Sequence, residues 1–257
     1  MQYCQSDTKP TRRQAIPIFR DLLLGALCLL ASTALMWSWT EASPWVPLLA
    51  MITYLAMAGL ILAFVPFHWR HLGWANRLTL GRGLLIALLT GALADPELLA
   101  RYATPLGALA LLALMLDGVD GWVARRTSTQ SDFGARFDME LDAWLILVLC
   151  LALLLLGKAG PWVLAIGAMR YAFVMAGLKL TWLTAALPES RRRKAICVWQ
   201  VAALMIALQP LAGATATNWL AGSALVGLAG SFMVDICWLY RHASTRRPEG
   251  CRTGSHS

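Results

Sequence analysis

Charge is scarce in this sequence, and the scarcity decides the class of protein. Only 14% of the 257 residues are Asp, Glu, Lys or Arg, against 58% hydrophobic. A soluble domain carries about 25% charged residues, so a water-soluble globule is excluded and an integral membrane protein is expected. The alternating segments of about ten residues that mark a membrane β-barrel are missing. Helices remain as the spanning element, because backbone polar groups in lipid must be satisfied within the chain. The six cysteines show no CxxC or zinc spacing. Cys28, Cys150, Cys197 and Cys237 fall in apolar stretches and read as packing residues. No disulfide is expected. No internal repeat or low-complexity tract stands out, and no polar stretch is long enough for a separate soluble domain.

Long apolar runs fill the chain instead. Eight are legible, at roughly 21–38, 46–66, 78–94, 103–124, 140–157, 161–182, 195–210 and 216–240. Most are long enough for spans of ~17–25 residues. The fold class expected is therefore an all-α integral membrane protein of about eight transmembrane helices. The first run is followed by Trp37, Trp39 and Glu41 rather than a small-residue cleavage site, and is read as a retained helix. Residues 1–20 and 241–257 read as polar tails, 21–66 as two N-terminal helices, and 74–240 as a six-helix domain. The first two runs carry no ionisable residue at their centres, which suggests a lipid-embedded appendage.

The net charge is +8, and 18 of the 22 Lys and Arg alternate onto one side of an eight-helix count. They precede the first run, lie between runs two and three, four and five, and six and seven, and follow the eighth. Arg101 and Lys158 alone fall on the other side, while Arg170 and Lys179 lie within the sixth run. The positive-inside rule places both termini and the basic loops in the cytoplasm. Juxtamembrane arginine accounts for the basic balance, so no nucleic-acid partner is expected. His68 and His71 read as headgroup anchors rather than metal ligands.

Against this background one block stands out. Residues 117–142 hold six carboxylates: Asp117, Asp120, Asp132, Asp138, Glu140 and Asp142. Spacings of 3 and 4 put Asp117 with Asp120, and Asp138 with Asp142, on single helix faces. Four like charges brought together repel unless cations lie between them. Hard divalent cations such as Mg²⁺ prefer carboxylate oxygens and bridge to substrate phosphates. A pair of such ions can clamp the attacking and leaving oxygens of a displacement. Asp132 and Glu140 break the pairing and read as solvated charges. Gly121 and Gly134 allow close approach, and Arg125 can hold a phosphate through its guanidinium fork. Upstream, Asn76, Thr79 and Arg82 share a face at the start of the third run.

The pattern D-x2-D-G-x2-A-R-x8-G-x3-D-x3-D, present at Asp117, Asp120, Gly121, Ala124, Arg125, Gly134, Asp138 and Asp142, resembles the signature of the CDP-alcohol phosphatidyltransferases. Asn76-x2-Thr79-x2-Arg82 resembles the motif that opens the family's first core helix. The resemblance covers roughly residues 74–240 and implies the family's six-helix core. It implies transfer of a phosphatidyl group from CDP-diacylglycerol to the hydroxyl of a small alcohol, with release of CMP, in phospholipid synthesis. By the same resemblance Asp117, Asp120, Asp138 and Asp142 bind Mg²⁺ or Mn²⁺, two ions in all, and Asp142 is the base. Thr79, Arg82, Gly121, Ala124, Arg125 and Gly134 would line the CDP pocket. Homodimerisation and a bacterial inner membrane are further expectations of this kind.

The acceptor is less legible. Arg136, Arg170 and Lys194 could supply cations to a phosphorylated alcohol. Residues 193–200 are similar to the G-K-x-K-T-x2-Q segment of phosphatidylglycerophosphate synthases at Lys194 and Gln200, and depart from it at Arg193, Ile196 and Cys197. A glycerol 3-phosphate-like acceptor is slightly favoured, with inositol, inositol phosphate, serine and a CDP-choline- or CDP-ethanolamine-type reaction as alternatives. An intramembrane prenyltransferase would separate its two aspartate motifs, and a cation-coupled transporter would show repeated halves. Neither pattern is present.

Overall fold

The computed structural model describes residues 18–64, 74–127, 132–179 and 190–245, excluding the side chains of 64, 74–76, 120–127, 132, 133, 135, 136, 178 and 242–245. His68, His71 and most of both tails therefore lie outside the described residues. Among the described residues the regular elements are all helical. They are α1 (Ile18–Thr40), α2 (Trp45–Phe64), α3 (Trp74–Ala92), a short α4 (Pro96–Arg101), α5 (Ala103–Thr127), α6 (Asp132–Leu155), a 3₁₀ turn (Pro161–Val163), α7 (Leu164–Lys179), α8 (Arg191–Leu208) and α9 (Ala214–Thr245). Within the described residues each apolar run thus contains one α-helix. Three are long and apolar enough to cross a membrane, namely Ile18–Thr40, Trp45–Ala63 and Ala214–Arg241, with shorter apolar stretches at Ala103–Val119 and Pro161–Gly177. The outer faces of α1, α2 and α9 are apolar: Leu23, Leu27 and Leu35, Ile52 and Leu55, and Val226 and Met233 are all exposed. Water would penalise such faces, whereas hydrocarbon does not.

Helix and apolar run do not end together. α6 starts at Asp132, two turns before the apolar part of the sequence begins. A helix needs only its backbone hydrogen bonds, so polar turns can continue it beyond the lipid. Local chemistry sets the ends. Pro96 and Pro161 occupy first helical positions, where the missing N–H costs nothing. Gly157, at φ 64°, closes the turn that follows α6. There the Gly157 N–H donates to the Leu154 carbonyl and that of Lys158 to the Leu153 carbonyl, a pairing that satisfies two terminal acceptors.

The chain divides into two compact units, Met1–Leu98 with Leu112–Leu141, and Leu99–Leu111 with Asp142–Ser257. In the first, α1 and α2 pack on α3 through Leu22, Leu29, Ala50, Tyr54, Ala58, Ile61, Leu80 and Ala87, with Phe137 of α6 against the same cluster. The Tyr54 hydroxyl donates to the Leu22 carbonyl at 2.6 Å, and Arg77 Nε pairs with Asp21 at 3.0 Å. α2 lies close on α3: a Cβ at Gly91 would stand 2.7 Å from the Val46 carbonyl oxygen and 2.9 Å from Ala50 Cβ. The two helices read from the sequence as an appendage thus pack directly on α3. Two helices with apolar centres bury one stripe against α3 and leave only the remainder to lipid.

In the second unit α8 packs along α9, and Phe173 of α7 meets Phe232 of α9 edge to face, centroids 5.1 Å apart. Lys158 Nζ reaches the carbonyls of Ala207, Leu208 and Gln209, at 3.3, 3.0 and 2.5 Å. It thereby caps the C-terminus of α8, where the helix dipole favours a cation. Burial nonetheless lowers the Lys158 pKa from its ordinary value.

Candidate metal and active site

α3 brings Thr79 and Arg82 one turn apart on a buried face, at 8% and 1% exposure. α5 carries Asp117 in its second half, and α6 carries Asp138 and Asp142 in its first. These are the polar extensions of helices whose other halves are apolar, so the carboxylates sit where the sequence changes from lipid-compatible to water-compatible. Asp117 and Asp138 keep 29% and 35% of their side-chain surface. Such partial exposure lets a cation reach them while the helices hold their positions.

The guanidinium of Arg82 joins them. Its Nη1 contacts Asp117 Oδ1 and lies 2.6 Å from Asp138 Oδ1, and its Nη2 donates to the Asp138 backbone carbonyl at 3.0 Å. Asp142 follows one continuous helical turn after Asp138. One carboxylate oxygen each from Asp117, Asp138 and Asp142 lie within 4.8 Å of one another. This donor set is all carboxylate oxygen, with no thiolate or imidazole, and so fits a hard divalent ion.

The structure brings together Arg82, Asp117, Asp138 and Asp142 from the expected residues. The side chains of Asp120, Gly121, Ala124, Arg125 and Arg136 lie outside the described residues. Gly134 is in the first turn of α6, and Thr79 is buried on α3. Arg170 is half-buried on α7 and Lys194 exposed on the first turn of α8. Glu140 is exposed, as its break from the helical pairing suggested. The direct pairing of Arg82 with two carboxylates was not anticipated. The available signal was electrostatic: an arginine near the start of a membrane helix needs an anionic partner when it faces inward.

Clustered carboxylates at the polar ends of apolar helices fit a divalent-cation site in a membrane protein. The chain belongs to the CDP-alcohol phosphatidyltransferase family, whose model matches residues 72–232. It is accordingly an enzyme, a membrane phosphotransferase of phospholipid synthesis, and the family depends on divalent metal. The family match leaves α1 and α2 outside it, although α3 rests on both. Comparison with curated proteins and with solved structures returned no match.

Proposed function

We propose that the protein transfers the phosphatidyl group of CDP-diacylglycerol to the hydroxyl of a small polar alcohol, releasing CMP, with a glycerol 3-phosphate-like acceptor favoured. The observation that carries this reading is the convergence of Asp117, Asp138 and Asp142 within 4.8 Å. Asp117, Asp120 and Asp138, joined by Asp142, would hold Mg²⁺ or Mn²⁺, two ions in the full site. Bound there, the ions would neutralise the pyrophosphate and stabilise the leaving CMP. Asp142 takes the proton from the acceptor hydroxyl as that oxygen attacks the lipid-side phosphorus, and the P–O bond to CMP breaks. Thr79, Gly121, Ala124, Arg125 and Gly134 line the CDP group, Arg125 through its fork. Arg136, Arg170 and Lys194 offer cations to the phosphate of the acceptor.

Eight spans, cytoplasmic termini and a cytoplasmic active site follow from the alternation of basic residues. A bacterial inner membrane and a homodimer complete the reading. The test is CMP release by purified protein given CDP-diacylglycerol, Mg²⁺ or Mn²⁺ and one acceptor at a time. CMP should appear with glycerol 3-phosphate. Asp142→Asn should abolish turnover while preserving binding of the CDP-lipid. CMP with inositol or serine alone would reassign the acceptor, and loss of CDP-lipid binding in the variant would make Asp142 chiefly a metal ligand.

A further inference from the structure

Arg82 does something that a contact to substrate does not require. It is 1% exposed, and it reaches two carboxylates on two different helices from a third. Arginine stays protonated at any pH the protein meets, so this is a permanent positive charge among acids. Asp117 and Asp138 present their Oδ1 atoms to the same Nη1. Carboxylates held that close repel unless a cation stands between them. Here that cation is part of the protein.

The position of the guanidinium is fixed from behind. Gly83, next to Arg82, admits Met57 of α2 so closely that a Cβ would collide with it, and Leu141 of α6 lies at 4.0 Å from the same point. Phe137, beside Asp138, packs into the cluster that α1, α2 and α3 share. The backbones of Arg82 and Asp138 are thus held by apolar packing, and Nη2 has an anchor on the Asp138 carbonyl that involves no carboxylate.

We propose that Arg82 is a positioning residue: it holds Asp117 and Asp138 together before metal binds, and a divalent ion competes with it for those carboxylate oxygens. The proposal rests on the metal reading given above. Guanidinium and metal need the same lone pairs, and two cations at contact distance repel. Nη1 therefore gives up its carboxylates as the ion arrives, while Nη2 keeps its carbonyl. The arginine keeps the site assembled and also sets how tightly it binds metal.

The measurement is Mn²⁺ affinity, read from the electron paramagnetic resonance of free Mn²⁺, together with melting in EDTA and in Mn²⁺. The proteins are wild type, Arg82→Gln and Arg82→Lys in detergent. Arg82→Gln should bind Mn²⁺ about tenfold tighter than wild type, since a competing charge is gone. It should melt several degrees lower in EDTA, and Mn²⁺ should close most of that gap. Arg82→Lys keeps the charge and so guards against a failure to fold. Its compact head cannot hold two carboxylates and a carbonyl at once, so it should show the same two changes in smaller measure. Mn²⁺ affinity that is unchanged or weaker in both variants overturns the proposal alone. Absence of Mn²⁺ binding in the wild type overturns the metal reading and this proposal with it.

Discussion

Arg192 Nη2 lies 2.5 Å from Asp235 Oδ1, and this contact ties the first turn of α8 to α9. Arg193 reaches the other oxygen of the same carboxylate at 3.7 Å. Asp235 keeps only 13% of its side-chain surface and Arg192 34%, so the pair is desolvated on one side. Asp235→Ala removes the carboxylate and leaves two arginines facing each other. The expected loss is about 1–3 kcal/mol, below the range for a fully buried pair because Arg192 still meets solvent. A lower melting temperature in detergent checks it. Arg192→Gln combined with Asp235→Asn should melt higher than Asp235→Asn alone, because coupled residues are not additive. Equal melting of the two would show that Arg192 carries no penalty once its carboxylate partner is neutralised.

Asp95 predicts a dependence on pH. It precedes α4 as its N-cap, accepting from the Leu98 N–H at 3.0 Å, and it also accepts from Ser43 N–H at 2.9 Å. The N–H groups of Leu98, then Ser43, hold its carboxyl below the usual carboxylate range. A depressed native pKa means that the unfolded chain binds the proton more readily. The resulting stability is present above the unfolded value, near pH 4, and is lost as pH falls through the native one. Asp95→Ala should cost about 1 kcal/mol at neutral pH. The difference in melting between wild type and variant should shrink as pH is lowered from 6 to 3. A difference that stays constant would locate the effect in packing and not in the charge.

Removal of residues 1–66 tests whether α1 and α2 belong to the working enzyme. Their loss would strip the α1 and α2 partners of Leu80 and Ala87 from the shared core and leave Arg77 without Asp21. α3 bears Arg82, so transfer should fall together with thermal stability. Gly91→Ala is the milder variant, since its Cβ meets a carbonyl of α2 and backbone cannot move aside cheaply. Small residues allow such close helix contacts in membranes, and overpacking one costs ~1–3 kcal/mol. A truncated protein with full transfer activity would return α1 and α2 to the status of an appendage.

Much of the fold was legible in the sequence because lipid imposes a simple rule. Every backbone donor must be satisfied within the segment, so each apolar run becomes a helix, and the eight runs reappear as α1, α2, α3, α5, α6, α7, α8 and α9. The carboxylates were legible for a similar reason. Their spacing of 3 or 4 places them on one face whatever the helix packs against. Helix ends were less so, as α6 shows: the hydropathy step near residue 140 marks where lipid ends, not where hydrogen bonding ends.

The sequence by itself determined the all-helical membrane class, the acidic motif and the family it signals, since composition and local spacing act within one segment. Tertiary structure alone decided that Arg82 of α3 reaches Asp117 of α5 and Asp138 of α6, that Arg192 finds Asp235, and that α1 and α2 support α3. Each of these joins residues far apart in the chain. Their partners are chosen by which helices pack together, a property of side-chain shape and of three-dimensional charge pairing that spacing along one helix does not encode.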